Sequence, residues 1–201
     1  MTDIHVAVAF HSGFGHTRRQ AAAVAEGAGS IPATTARLWP VDSLDDELWD
    51  GLAAADAIVF GTPTYMGAPS AVFKQFAEAT APIYAAGGWT DKVAAGFTNS
   101  QTINGDKLNT LVDLAVLAAQ HGMHWVSLGL PAGWDSTTSS PDDLNRLGSW
   151  LGAMAQSNSD QGPDQAPPAA DLATAAALGR RVAVVTAQLA RGRTAADADA
   201  A

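Results

Sequence analysis

The sequence contains no cysteine and few basic residues. Without cysteine the chain has no disulfide bonds, no thiolate metal ligands and no cysteine nucleophile. Its 11 Lys and Arg residues are outnumbered by 20 Asp and Glu residues, which gives a formal net charge of −9. Because the basic residues form no cluster, the composition argues against a nucleic-acid partner. The histidines show no spacing typical of metal ligands, so we expect no metal site.

Long apolar runs and a charged leader segment are also missing. No run approaches the ~18 residues of a membrane span, and Met1-Thr2-Asp3 leads directly into an apolar segment. These features predict a cytoplasmic protein without a membrane partner. The 201 residues, 47% of them hydrophobic, fit one α/β domain with a sizeable core.

Short apolar segments alternate with amphipathic ones along the chain. The predicted strands are residues 4–10, 34–38, 57–61, 92–97 and 124–128. The predicted helices are residues 18–28, 44–54 with Ser43 as N-cap, 71–81 with Ser70 as N-cap and Pro82 as its end, 107–120, and 171–190. The alternation predicts a parallel sheet within a single domain over residues 1–190. We expect an inserted loop at about 129–168 with a short helix beginning near Pro141, and a disordered tail over 191–201.

Three polar loops follow predicted strands, at residues 11–17, 62–70 and 98–105. The carboxyl ends of parallel strands lie at one edge of a sheet, where ligands bind at the point at which strand order reverses. We therefore expect the three loops to form one site. The first loop joins a strand to a helix, an arrangement that directs backbone N–H groups at an anion. An ordinary turn is the alternative, but three polar loops at one edge favour a phosphate.

The first loop does not match the common nucleotide-binding motifs. A Walker A loop requires a lysine that is absent here. A dinucleotide-binding motif requires a third glycine where Arg18 stands, and an acidic residue where the second strand ends in Leu38-Trp39-Pro40. A phosphorylated receiver would have acidic residues at the end of the first strand, which has none. With hydroxyls at Ser12 and Thr17, the loop is best suited to a terminal phosphate monoester.

Three motifs carry a family resemblance: Ser12-Gly13-Phe14-Gly15-His16-Thr17, Gly61-Thr62-Pro63-Thr64-Tyr65-Met66-Gly67, and His121-Gly122-Met123. The chain resembles the flavodoxin superfamily over roughly residues 4–130 and the final helix. It is most similar to the tryptophan repressor-binding-protein family of NAD(P)H:quinone oxidoreductases, which bind FMN. The resemblance implies a flavodoxin-like three-layer α/β sandwich with a five-stranded parallel sheet in the order 2-1-3-4-5. It also implies FMN as cofactor, NAD(P)H as electron donor, a quinone-like acceptor, and a homodimer or homotetramer.

The resemblance implies roles for individual residues as well. The first loop would hold the FMN phosphate, the second would lie along the ribityl chain and the ring, and the third would wrap the pyrimidine side. The implied cofactor-binding residues are Ser12, Gly13, Phe14, Gly15, His16, Thr17, Pro63, Thr64, Tyr65, Met66, Gly67, Thr98, Asn99, Ser100, Gln101, Asn104 and His121. Tyr84 and Trp89 would face the substrate. We assign no catalytic acid or base, because the flavin carries the hydride chemistry.

Two functions remain open from the sequence. One is an oxidoreductase that passes electrons from NAD(P)H through bound FMN to a quinone or a similar flat acceptor. The other is a flavodoxin-type electron carrier without a substrate of its own. Small carriers are usually shorter, so residues 129–168 favour the enzyme. A regulatory protein that has lost tight flavin binding is a weaker third reading, because the third loop departs from the family's Gly-rich pattern.

Overall fold

A computed structural model describes residues 3–199 of the chain. Its strands are β1 (Ile4–Phe10), β2 (Thr34–Pro40), β3 (Ala57–Tyr65), β4 (Ala68–Pro69), β5 (Val93–Ser100), β6 (His124–Trp125) and β7 (Ala153–Gln156). Its helices are α1 (His16–Gly29), α2 (Asp46–Ala54), α3 (Ala71–Ala79), α4 (Ala81–Ala85), α5 (Lys107–Gln120) and α6 (Ala169–Asp199). Strands and helices alternate over most of the chain, as the sequence pattern predicts.

The strands form one sheet whose parallel path runs in the order β2-β1-β3-β5-β6. β6 pairs with the beginning of β5, at Val93 and Ala94. β7 also pairs with β5 in parallel, but with its end, where residues 153–156 lie opposite residues 97–100. β6 and β7 therefore share the fifth position of the sheet, and the predicted order 2-1-3-4-5 is confirmed.

Residues 126–152 interrupt the strand at this fifth position. The sequence predicts one strand over residues 124–128, but the pairing stops with β6 and resumes with β7. The backbone N–H of Leu128 donates to the carbonyl oxygen of Trp150 at 3.1 Å, so the two ends of the insertion are joined to each other. The predicted strand over residues 124–128 was too long, because a short apolar run is found at the base of a packed loop as well as in a strand.

The sheet is covered on both faces. A separate hydrophobic core lies on each face, and β1 contributes to both because successive residues of a strand point to opposite faces. Ile4, Val6 and Val8 pack against α1 and α6 in one core. Ala7 and Ala9 belong to the other core, which contains the apolar faces of α2, α3 and α5. The two helix layers and the sheet form a three-layer sandwich.

Helix boundaries differ from the prediction in several places. The N-cap of α2 is Asp45, whose carboxylate accepts from Leu48 N at 3.0 Å, and Ser43 instead donates to Asp45. Ser70 caps α3 as predicted, by accepting from Phe73 N. The short helix expected near residue 141 is a series of turns.

Two helical regions, the stretch of α3 and α4 and the final helix α6, extend further than the sequence predicts. Pro82 does not end the helical stretch, because it occupies the first turn of α4, where proline is tolerated. α6 continues through residues 191–199, which we expected to be a disordered tail, whereas residues 200–201 lie outside the described part of the chain. No helix within residues 3–199 is long and apolar enough to cross a membrane.

Candidate cofactor-binding site

A cavity of about 830 Å³ lies beyond the carboxyl ends of β3 and β5, beside the start of α1. Cofactor pockets typically measure about 300–1,000 Å³. All three predicted loops contribute to it, together with a fourth segment, residues 157–162. The lining residues are Phe14, His16, Thr17, Pro63, Thr64, Tyr65, Met66, Gly67, Asn99, Ser100, Gln101, Thr102, Gly105, Ser157, Asn158, Ser159, Gln161 and Gly162. The structure thus brings together residues that the sequence places far apart.

The first loop leads into the amino end of α1. Gly15 is the N-cap residue, with a φ of 88° that favours glycine, and it has no side chain with which to cap the helix. Ser12 Oγ accepts from Arg18 N at 3.0 Å. The His16 imidazole is held by Gln161 O, 2.8 Å from Nε2. The N–H groups of His16 and Thr17 and the positive end of the helix dipole remain available to an anion.

The second loop is a tight hairpin between β3 and β4. Met66 and Gly67 have φ of 51° and 80°, the conformation of a two-residue turn with a left-handed twist at both positions. The turn leaves the Met66 side chain fully exposed and Tyr65 partly exposed at the cavity mouth. The Phe14 ring packs edge-on against Tyr65, with ring centres 6.4 Å apart. Burial raises the Tyr65 pKa, so its hydroxyl stays protonated at neutral pH. The mouth of the cavity therefore has a rim suited to a flat ring.

The third loop and the fourth segment form the opposite wall. Ser157 Oγ donates to Asn99 Oδ1 at 2.9 Å, which leaves the amide NH₂ group of Asn99 to donate elsewhere. Gln156 Nε2 donates to the carbonyl oxygen of Gln101 at 2.8 Å. The backbone N–H of Ser157 bonds to Ser100 O at 3.0 Å. The wall thus consists of polar groups fixed by hydrogen bonds to one another.

Some predicted cofactor residues lie beside the cavity instead of lining it. Thr98 is fully buried, with its hydroxyl 2.8 Å from that of Thr64, so it supports the floor. Asn104 is exposed, and its side chain accepts from Asp106 N. Gly13 lies against the Tyr65 hydroxyl, close enough that an added Cβ would lie 2.5 Å from it.

His121, Tyr84 and Trp89 lie together, but not at this cavity. The Trp89 and His121 ring centres are 4.5 Å apart, and the Tyr84 ring is 6.0 Å from His121. His121 follows the last residue of α5, a helix of 14 residues whose other end adjoins the third loop, so about 21 Å of helix separates it from the cavity. Within one chain the structure does not bring these three residues to the cavity, and their roles at the flavin and substrate stay a prediction. A helix that connects two parallel strands begins at the edge of the sheet where the first strand ends, and it finishes at the opposite edge. The motif His121-Gly122-Met123 does not by itself show at which edge it lies.

The fourth segment was missed as part of the site. It follows a strand, β7, and it is rich in Ser, Asn and Gln, which is the pattern that identified the other three loops. The sequence pattern does not identify β7 as a strand, because β7 is a short run of Ala, Met and Gln, which have little preference for strands. The loop that follows it is therefore not recognised as one at a strand end. None of the described residues, 3–199, forms a group of three or more metal-ligating side chains.

Comparison with known proteins identifies the family to which the chain belongs. The model of the family described as NADPH-dependent FMN reductase matches residues 41–131. A Pseudomonas aeruginosa protein named flavodoxin FldP is 46% identical over 186 residues, which cover 90% of this chain and 96% of its own. The chain belongs to the flavodoxin-like family of FMN-dependent reductases. Another family member, a Geobacter sulfurreducens protein named NAD(P)H dehydrogenase (quinone), is 32% identical over 92% of this chain and 99% of its own.

Solved structures agree with this family assignment. A crystal structure described as the flavodoxin, WrbA-like protein from Agrobacterium tumefaciens has a TM-score of 0.74 and 44% identity, and covers 92% of this chain and 99% of that one. A flavodoxin from the domain Archaea, at 17% identity and a TM-score of 0.62, shows the shared fold alone. The predicted flavodoxin-like fold and family are confirmed, and with them FMN as the cofactor and NAD(P)H as the electron donor.

The residues at the cavity fit FMN. The amino end of α1 offers N–H groups for a phosphate, and Thr17 lies in that first turn. The hairpin and Phe14 offer an aromatic rim for the ring. The polar wall between Asn99 and Ser157 offers amide and backbone groups for a heterocycle edge. The assignment of each residue to a part of FMN stays a prediction.

Proposed function

We propose that this chain is an FMN-dependent oxidoreductase that passes electrons from NAD(P)H through bound FMN to a quinone or a similar flat acceptor. The observation that carries the proposal is the open cavity at the carboxyl edge of the sheet, which combines an anion-binding helix end with an aromatic rim. Tyr65 and Met66 are exposed to solvent at its mouth, so a second flat molecule can reach a ring bound there. The relatives named NAD(P)H dehydrogenase (quinone) support the acceptor class.

In this proposal the chain's own residues bind FMN and orient its ring. The first turn of α1 holds the phosphate through backbone N–H groups, with Ser12 to Thr17 surrounding it. The hairpin positions the ring from one side, and the third loop fixes its polar edge through residues such as Asn99. FMN, when bound, supplies the two-electron chemistry. Backbone and amide donors at that edge stabilise negative charge that develops on reduction.

A flavodoxin-type electron carrier is the second candidate function. The Pseudomonas aeruginosa relative named a flavodoxin favours it, since that protein matches nearly the whole chain. A carrier needs a partner reductase and a partner oxidant, whereas an enzyme reacts directly with NAD(P)H. The two candidates therefore differ in a single measurable step.

The test is reduction of the FMN-loaded protein by NADPH or NADH under anaerobic conditions. We expect rapid loss of the flavin absorbance, and its return when a benzoquinone is added. Flavin that is reduced only through a partner reductase would instead support the carrier. Failure of the purified protein to retain FMN at micromolar concentration would contradict both candidates.

Tyr65 offers a matched pair of variants for the acceptor site. If the ring forms the rim over which the acceptor stacks, Tyr65→Ala should raise the KM for benzoquinone by about fivefold, in line with the loss of an aromatic contact worth about 1 kcal/mol. Tyr65→Phe keeps the ring and should stay near the wild-type value. An equal effect of both variants would assign the role to the hydroxyl.

We also propose that the chain forms a homodimer or homotetramer. A groove of about 640 Å³ between α3, α4 and α5 has exposed apolar side chains, including Tyr84 at 59% and Val116 at 52% of full exposure. Because His121 and Tyr84 lie far from the cavity of their own chain, a role at the flavin would require a second copy. Sedimentation of Val116→Asp should show a smaller species than wild type, whereas Val184→Asp on α6 should not.

A further inference from the structure

Lys107 is a buried cation in an electrostatically unfavourable position. It is the first residue of α5 and is 0% exposed, although a lysine at a helix amino end faces the positive end of the dipole. Its N-cap residue, Asp106, has a φ of 52° and makes no side-chain capping bond. Burial and the helix dipole both oppose the ammonium form, so local contacts must compensate for them.

The compensating contacts all lie in the third loop. Lys107 Nζ donates to Ser100 Oγ at 2.8 Å, to Thr102 O at 2.8 Å and to Ile103 O at 2.7 Å. These three bonds use all three protons of the ammonium group. Ser100 and Thr102 line the cofactor cavity, so the ammonium lies directly behind its wall. The Ile103 side chain is 63% exposed and gives the loop no apolar anchor.

The charges around Lys107 come from two other elements. Asp171 of α6 favours the ammonium, and Arg146 of the insertion opposes it. Desolvation is the largest influence, and together these lower the pKa of Lys107 to about 8. The group is therefore mostly charged at neutral pH but loses its proton in a mildly alkaline range. The neutral amine has two protons to donate instead of three, and it carries no charge to attract an anionic cofactor.

We propose that Lys107 is a positioning residue that holds the third loop against FMN and couples FMN affinity to its own protonation. The proposal rests on the assignment of the cavity to FMN. The FMN phosphate, which the proposal places at the first turn of α1, brings a negative charge into the cavity that the third loop also lines, and a nearby anion raises the pKa of an ammonium. FMN binding therefore takes up a proton wherever the free protein has lost it. Affinity should then be constant below about pH 7.5 and fall above pH 8 by up to about tenfold per pH unit.

The stability of the apo-protein should change in the opposite direction. The folded-state pKa of about 8 lies below the ordinary value of 10.5. Between these pH values the unfolded chain binds more protons than the folded one, so the Lys107 contribution to the free energy of unfolding rises with pH. Titration of Lys107 itself therefore cannot unfold the protein over the range in which the FMN affinity falls.

The experiment measures the FMN dissociation constant by quenching of flavin fluorescence between about pH 6.5 and pH 9.5, a range that spans the titration of such a group. Lys107→Met should bind FMN at least about tenfold more weakly at pH 7, in line with the loss of charge-assisted hydrogen bonds, and its affinity should not vary with pH. Lys92→Met is the matched control. Lys92 Nζ donates to Ala53 O at 2.7 Å and to Ala55 O at the opposite edge of the sheet, so this variant should retain the wild-type profile.

The outcomes separate the inference from the proposed function. Wild-type protein that binds no FMN at any pH would contradict the FMN site itself. Tight binding with an affinity that Lys107→Met leaves unchanged would contradict the role of Lys107 alone. If Lys107→Met does not fold by circular dichroism, Ser100→Ala decides, because it removes one acceptor of the ammonium. Its affinity should begin to fall at a lower pH than that of wild type, and an unshifted profile would overturn the inference.

Discussion

At the scale of single residues, glycines set how closely α1 and α6 approach. A Cβ at Gly179 would overlap the carbonyl oxygen of Val24, and one at Gly27 would overlap that of Ala176. Backbone cannot yield as a flexible side chain can, so the two helices would have to separate. Gly179→Ala should therefore lower the free energy of unfolding by about 1–3 kcal/mol, measured by urea denaturation.

Gly192 provides the matched control on the same helix. A Cβ there would have no neighbour within 4 Å among residues 3–199. Alanine is the better helix former by up to about 1 kcal/mol, so Gly192→Ala should be neutral or stabilising. Destabilisation by both variants would show that the effect comes from α6 itself and not from its packing against α1.

A second prediction at this scale concerns His121. Its ring is buried against Trp89, its Nδ1 atom has no hydrogen-bond partner among the described residues, and desolvation lowers its pKa. The unfolded chain protonates this histidine near its ordinary pKa of 6.5, whereas the folded chain resists protonation. The free energy of unfolding should therefore fall as the pH falls through about 6.5 and below.

His121→Gln should remove this part of the pH dependence. We would compare unfolding free energies at about pH 7.5 and pH 5.5, on either side of the ordinary histidine pKa. His5→Gln serves as the control, because His5 is exposed. If wild type and His121→Gln lost the same free energy of unfolding between the two pH values, the assignment to His121 would be contradicted.

At the scale of secondary-structure elements, a buried ion pair ties the insertion to the cofactor cavity. Arg146 Nε and Nη2 donate to the Asp171 carboxylate at 2.7 and 2.9 Å, with both side chains more than nine-tenths buried. Asp171 also accepts from the backbone N–H of Gln156 at 2.8 Å, and Gln156 holds the third loop through Gln101. The insertion therefore contributes to the position of the cavity wall.

Removal of one partner from this pair should be costly. Arg146→Met would leave the Asp171 charge buried without its counter-ion, and we expect it to lower the free energy of unfolding by about 3–5 kcal/mol. Arg37→Met breaks an ion pair with Glu47 of the same 2.7 Å separation, but both side chains are more than half exposed. That variant should cost at most about 1 kcal/mol. Similar losses in the two variants would argue against burial as the deciding factor.

The interruption of the sheet shows what sequence patterns leave undetermined at this scale. β5 was evident from its apolar run, whereas β7 contains mostly residues with little preference for strands. It becomes a strand because the end of β5 offers unpaired backbone groups beside it, and Gly152 allows close approach to the carbonyl oxygen of Gly96. Such pairing depends on tertiary contacts between distant residues, so local pattern could not reveal it.

At the scale of the whole molecule, the alternation of elements was sufficient to predict the site's location. Parallel strands place their carboxyl ends at one edge, so loops near residues 13, 65 and 100 had to meet there. The same rule places the end of α5 at the opposite edge, and it could have excluded His121 from the cavity. The contribution of residues 157–162 depended on the unpredicted β7. The sequence pattern identifies Lys107 only as the start of a helix, because burial is not visible in a sequence.

The net charge of the molecule leads to a final prediction. With a formal charge of −9, the chain repels the FMN dianion at long range, although the first turn of α1 attracts the phosphate at short range. Salt screens the long-range repulsion, since the Debye length falls to about 10 Å at about 0.1 M salt. The association rate of FMN, measured by stopped-flow quenching, should therefore rise with salt. Riboflavin lacks the phosphate charge, and its association rate should stay nearly constant. An FMN rate that falls with salt would show instead that local cations such as Lys107 and Arg18 dominate the field at the cavity.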